Sequence, residues 1–247
     1  MFAIFRKEIS GFFSSLTGYI VIIVFLVINS LFMWVFPGEW NILDSGYASL
    51  DTLFFLSPWV FMFLVPAVTM RMIAEEKRLG TIELIYSKPI SESGIIYGKY
   101  FASVCLVILA LLPGLIYYFS VYTLGETPGN LDKGGTLGSF IGLFFLASVY
   151  ASAGIFASSL TDNQVIAFII AVLLCFVMFM GFDSIAYLPG LKKLNEVIIR
   201  LGINEHYKSI SRGVLDIKDV VYFIAVIMLF NEATRFLLLS RKWKGKS

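Results

Sequence analysis

Few residues in this chain are of a type and spacing that could do chemistry. The single histidine, His206, stands in Asn204-Glu205-His206-Tyr207. One imidazole gives no His–His metal pair, and no serine or cysteine nucleophile motif is present, so a hydrogen-bonded structural role is the simpler reading. Cys105 and Cys175 both fall in apolar runs, and their spacing suits neither metal ligation nor a disulfide framework. Gly94-x-x-x-Gly98-Lys99 has the look of a phosphate loop. Such a loop needs one more residue between the glycines and a Ser or Thr after the lysine, so that amides wrap phosphate and a hydroxyl meets magnesium. Here Tyr100 follows the lysine. The reading is therefore of a chain without a catalytic residue, metal site, cofactor or nucleotide site of its own.

Two polar groups remain. Asn231, Glu232 and Arg235 interrupt the last apolar run, Val220–Phe230, before Phe236–Leu239. Glu232 and Arg235 are three apart and can pair on one helical face. An ionisable residue at membrane depth is by default a functional candidate, and the competing reading is an arginine that snorkels to the headgroups and holds its partner. The second group is Arg71–Tyr100, RMIAEEKRLGTIELIYSKPISESGIIYGKY, a long charged segment between two apolar runs.

The elements that must position these groups follow from composition. Hydrophobic residues make up 58% of the 247 residues and charged residues 15%, against about 25% charged in a soluble domain; mean hydropathy is +0.85. This predicts an all-α polytopic membrane protein, read as one domain over 1–247. The net charge of +2 does not suggest nucleic acid. Six spans are expected near Leu16–Phe36, Leu53–Met70, Tyr100–Tyr122, Thr136–Leu160, Val165–Phe182 and Val220–Leu239, each close to the roughly 20 residues that hydrocarbon requires. Pro58, Pro66 and Pro113-Gly114 predict kinks. Gly138-x-x-x-Gly142, Ala147-x-x-x-Ala151 and Gly154-x-x-x-Ser158 predict close packing of the fourth span, within the chain or across a dimer. Ahead of the spans, Phe2, Phe5, Ile9, Phe12 and Phe13 share one face of a helix over 1–15, expected to lie flat at the lipid interface. A signal peptide fits less well, because the following apolar run is long and no small-x-small cleavage site closes it.

Loop charge sets the orientation. Arg6 and Lys7, then Arg71, Lys77, Arg78, Lys88 and Lys99, then Arg235, Arg241, Lys242, Lys244 and Lys246 fall on one side. The first loop, Pro37–Thr52, has no Lys or Arg and the third only Lys133. Basic loops stay inside, so both termini are expected in the cytoplasm. The segment 183–219 runs against this pattern: it would be external, yet carries Lys192, Lys193, Arg200, Lys208, Arg212 and Lys218. It is read as a short amphipathic external helix or a re-entrant pair.

On the cytoplasmic side, 71–99 reads as three helical pieces. Glu75-Glu76-Lys77-Arg78 extends the second span into water, and Gly80 ends it. Thr81 can cap a short helix that runs to Lys88-Pro89, where the backbone is forced to extend. On it Ile82, Ile85 and Tyr86 form an i, i+3, i+4 ridge suited to a groove of a soluble partner. Ser91 can cap the next helix, with Glu92 favourable at its positive end.

In these residues the chain resembles a family. EEKRLGTIELIYSKPISESGIIYGKY is similar to the signature of type-2 ABC transporter permeases, in which an E-K-x-x-G-T-x-E-x-L pattern precedes P-x-S/T and a G-K before the third span. The likeness covers essentially the whole chain, and Asn204–Phe223 most resembles the gliding motility-associated permeases. Permeases for nitrous-oxide-reductase maturation are also similar. The resemblance implies a permease without its own nucleotide site in a bacterial inner membrane, driven by a separate ABC ATPase that binds ATP and magnesium, and working as a homodimer or with a related permease. It implies that Glu76, Lys77, Arg78, Gly80, Thr81, Ile82, Glu83, Leu84, Ile85, Tyr86 and Pro89 form or shape a coupling helix on that ATPase, with Ser158–Gln164 a second contact. Two rivals stand beside this: an intramembrane enzyme built on His206 or on Glu232 and Arg235, and a non-transporting anchor that couples an ATPase to a cell-surface machine.

Overall fold

The computed structural model describes residues 1–125, 130–188 and 194–244, with side chains to residue 240. Lys192, Lys193 and Lys246 of the charge pattern lie outside the described residues, as do the side chains of Arg241, Lys242 and Lys244. In chain order the helices are α1 (Phe2–Ser14), α2 (Leu16–Ser30), the short α3 (Ile42–Ser45), α4 (Asp51–Thr69), α5 (Arg71–Arg78), α6 (Thr81–Tyr86), α7 (Glu92–Leu111) and α8 (Leu115–Leu124). Then come α9 (Lys133–Leu160), α10 (Gln164–Phe176), α11 (Phe182–Ala186), α12 (Asn195–Leu201), α13 (Ile203–Ser211) and α14 (Ile217–Lys244). Six of these helical stretches are long and apolar enough to cross a membrane: 16–35, 51–78, 92–124, 133–160, 164–186 and 217–240.

The helices start earlier than the apolar runs because polar caps sit outside them. Ser91 accepts from the Gly94 amide, Asp132 from Gly135, and Asn163 from Val165 and Ile166, which satisfies amides that the first turn leaves free. Pro113 sits in the tight turn Leu112–Gly114 between α7 and α8. Pro58 lies inside α4, whose helix continues past it. A proline removes the bond to the carbonyl four residues back, and that carbonyl, Phe54 O, instead accepts from the Tyr207 hydroxyl at 2.7 Å.

At the centre stands α9, whose Leu143, Leu146, Ala147, Val149, Tyr150, Ala151, Ala153 and Ile155 are fully buried. Its small residues pack within the chain. A Cβ on Gly138 would lie 2.3 Å from Ile210 O, one on Gly142 3.0 Å from the Tyr207 ring, and one on Gly154 2.0 Å from Thr69 Oγ1. Of the two packing partners left open by the sequence, these contacts are with α13 and α4 of the same chain.

The segment after the fifth span is a helix pair split at Gly202. The first member, α12, buries no residue, whereas α13 buries Ile203, Tyr207 and Ile210 against α9. His206 belongs to this packing. Its Nδ1 lies 2.7 Å from Asp219 Oδ1 and its Nε2 2.8 Å from the Arg200 carbonyl, and its ring stacks on Tyr222 with centroids 3.8 Å apart. The histidine thus ties α12 to the start of α14.

The aromatic face of α1 does not simply lie down in lipid. Phe12 and Ile4 are buried, and Phe5, Ile9 and Phe13 are half-buried against the core, while Phe2 is exposed. Small residues let α1 approach α7: a Cβ on Gly98 would stand 3.0 Å from Met1 O and 3.1 Å from Ile4 Cβ. The glycines that look like part of a phosphate loop therefore form a helix-crossing face.

Candidate functional site

The charged residues of α1, α5 and α7 meet at the end of the bundle that carries the N-terminus. Lys99, one turn into α7 beyond Ile95 and Ile96, has no exposed side-chain surface. Its Nζ donates to Glu8 Oε1 at 2.7 Å, to Glu76 Oε1 at 2.8 Å and to the Met72 carbonyl at 2.7 Å. Three acceptors match the three donors of an ammonium. Glu76 also accepts from Lys7 Nζ at 2.7 Å. Burial lowers the Lys7 pKa, but the hydrogen bond and charge of Glu76, with the nearby Glu8, outweigh it and leave the pKa raised. Two cations and two carboxylates thus join three helices drawn from distant parts of the sequence.

This corrects the sequence reading of Glu75-Glu76-Lys77-Arg78 as an extension into water. Lys99 counts among the loop charges by position, yet it is a buried hub, and Glu76 is itself buried. The apolar face of α5, with Met72, Ile73 and Ala74, is buried as well. Water does not surround this extension of the second span, because α1 and the end of α9 cover it.

The end of α9 holds α5 by its backbone. Between Thr69 and Arg71 the helix breaks, and Ser158 repairs the break. Its Oγ donates to Met70 O at 2.8 Å and accepts from the Ile73 and Ala74 amides, both at 3.0 Å. Lys77 donates to the Ser159 carbonyl. A movement of α5 must therefore move α9, α7 and α1 with it.

Beyond Arg78 the chain turns at Gly80, whose φ of +68° lies in the left-handed region that favours glycine. Gly80, not Thr81, occupies the N-cap of α6; the Thr81 hydroxyl reaches back to the Glu76 carbonyl at 3.4 Å. Of the Ile82, Ile85, Tyr86 ridge, Ile82 lies in the core and Tyr86 packs against it, while Ile85 is half-buried. The face turned to solvent is a different one: Leu79 is 62% exposed and Leu84 66%, flanked by exposed Arg78, Glu83, Ser87, Lys88 and Pro89. The α9–α10 turn adds exposed Leu160, Asp162 and Asn163. Helical spacing separates Leu84 from the ridge of Ile82, Ile85 and Tyr86, but only packing decides which of the two faces is covered.

The intramembrane candidates separate from one another. Asn231 is buried in α14, and its amide has no hydrogen-bond partner among the described residues. Glu232 and Arg235 pair at 3.1 Å but face outward, half exposed. They stand about 20 Å along the helix from Asp219 and its partner His206, so these groups do not converge on one reaction centre.

A family model, described as ABC-2 family transporter protein, matches residues 41–238, most of the chain. No curated protein matches the chain.

Proposed function

The chain belongs to the ABC-2 family of transporter proteins, as an ABC transporter membrane subunit, and we propose that it is driven by a separate ABC ATPase that docks on the outward face of α6. The observation that carries this is the contrast within 71–99. The segment is anchored to α1, α7 and α9 through Lys99 and Ser158, yet presents Leu79, Glu83 and Leu84 to solvent. A rigid mount with an apolar, charged-rimmed tip is what transmitting force from a soluble partner requires. The α9–α10 turn supplies a second contact. ATP and magnesium belong to the partner. Two such bundles form the transporter, since the centre of the chain, around α9, is filled by side chains and a path then runs between subunits.

The positive-inside pattern supports α6 and both termini on the cytoplasmic side of a bacterial inner membrane. Export, in a secretion or gliding-motility machine, is the direction that the likeness of Asn204–Phe223 favours. Those residues are occupied with packing, through His206–Asp219 and Tyr207–Phe54, so they bear on the architecture of the far end more than on cargo. This keeps a second reading alive, an anchor whose ATPase cycle drives a surface machine without moving a solute.

The test is affinity purification from native membranes. Leu84→Asp is expected to lose the co-purifying ATPase while the protein still inserts and stays monodisperse, and Ile85→Ala to retain it. Equal ATPase recovery with Leu84→Asp would refute docking on this face. ATP hydrolysis by the reconstituted complex without movement of any offered solute selects the anchor.

A further inference from the structure

At the opposite end of the bundle lies a cavity of about 750 Å³ between α4, α10–α11 and α13. Its size falls within the ~300–1,000 Å³ usual for small-molecule sites. The wall is aromatic: Phe54, Trp59, Phe179 and Tyr207 line it, and Trp59 and Phe179 meet edge to face with centroids 5.5 Å apart. The helix is locally widened into a π-turn over Val177–Gly181, which supplies Phe179 and Met180 to the wall. Such turns interrupt a helix at an energetic cost and recur at functional sites.

The charges around this wall are arranged in two unlike pairs. Lys208 on α13 and Arg212, the residue that ends it, line it one helical turn apart; Asp51, at the start of α4, and Asp183, on α11, line it from two other elements. Among the described residues none of the four pairs with an opposite charge within the cavity. Among the described residues Asp183 accepts from the neutral Asn204 amide, at 2.6 Å. Four charges that line one cavity without pairing with one another leave both cationic and anionic groups on its wall.

We propose that this cavity holds the headgroup and upper acyl chain of an aminophospholipid. The phosphate is received by Lys208 and Arg212, the primary ammonium by Asp51 and Asp183, and the apolar body by Phe54, Trp59 and Phe179. An ammonium that can donate hydrogen bonds to carboxylates fits better than a methylated one, so phosphatidylethanolamine is selected over phosphatidylcholine. A purely anionic lipid satisfies only the cationic side. The site is independent of the ATPase assignment, because it lies at the other end of the bundle from α6.

Native mass spectrometry of the delipidated full chain in detergent, titrated with dioleoyl phosphatidylethanolamine, phosphatidylcholine or phosphatidylglycerol, tests this. One phosphatidylethanolamine is expected to be retained with about tenfold preference over either of the others. Asp51→Asn with Asp183→Asn should erase that preference over phosphatidylcholine, and Lys208→Gln with Arg212→Gln should weaken all three lipids. These side chains are exposed or half-buried, and an unchanged melting temperature in each double variant verifies the fold. Equal retention of the three lipids, or retention indifferent to both double variants, overturns the proposal. So does dimerisation with the cavity as its interface, seen as a disulfide-linked dimer of Tyr187→Cys that phosphatidylethanolamine does not suppress.

Discussion

Replacing Lys99 by methionine tests the buried hub most directly. The substitution keeps an unbranched apolar side chain, one atom shorter, and removes the charge. Lys99 Nζ stands 2.7 Å from Glu8 Oε1 and 2.8 Å from Glu76 Oε1, and the two carboxylate side chains are only 14% and 11% exposed. At an effective dielectric of ~20, each contact has a gross attraction of about 6 kcal/mol. Desolvation of the ions and repulsion between the two carboxylates offset most of that. Removing the cation leaves those costs in place without their compensation, and the covered carboxylates have little access to water. The expected loss is about 3–5 kcal/mol, a large share of the ~5–15 kcal/mol that stabilises a typical fold. Denaturant titration in mild detergent, following helicity, measures it. The informative comparison is the triple variant Lys99→Met, Glu8→Gln, Glu76→Gln. It removes the buried cation and both carboxylates and leaves only Lys7, whose side chain is exposed enough to be solvated, so it should sit closer to the parent than the single variant does, because interacting sites are not additive. A single variant that loses under ~1 kcal/mol, or a triple variant as damaged as the single, refutes the reasoning.

Two further outcomes are expected. Gly154→Ala places a Cβ 2.0 Å from Thr69 Oγ1, whereas Gly11→Ala meets nothing within 4 Å. The first should cost about 1–3 kcal/mol or more by overpacking and the second almost nothing, as read from melting temperatures of the purified variants. With Cys105 and Cys175 replaced, Lys88→Cys should react with an impermeant maleimide only in inside-out vesicles, and Tyr47→Cys and Leu215→Cys only in intact spheroplasts. Labelling of Leu215→Cys from the inside would place the loop after α13 on the wrong face and undo the orientation.

The spans were legible because hydrocarbon thickness and run length are linked by a fixed rise per residue. Their ends were less so, since the apolar run marks what lipid covers while caps such as Asp132 and Asn163 mark where the helix starts. The three-piece reading of 71–99, with its turn at Gly80 and cap at Ser91, also follows from local chemistry. The hub does not. Lys99 and Glu8 are 91 residues apart in sequence, and nothing local to either tells a buried lysine from a solvated one beside a span. The glycines that bring α1 onto α7 at Gly98 were visible, but their pattern carries no name for the helix that approaches.

The ridge on α6 shows the limit most clearly. Apolar residues at i, i+3 and i+4 establish that a helix has a face to bury; they do not say what buries it. In a six-residue helix held on a left-handed glycine, Ile82 and Tyr86 are drawn to the nearest apolar surface, which is the chain's own core. The face left over is polar with a single large apolar residue, Leu84. A docking surface built this way has a physical advantage, because a subunit must stay folded and soluble at its tip before a partner arrives, and a continuous apolar ridge left in water would invite aggregation. The residues that hold the tip in place and those proposed to meet the partner are thus on opposite faces of one short helix. Substitutions on the inner face should therefore be read as changes in stability before they are read as losses of contact.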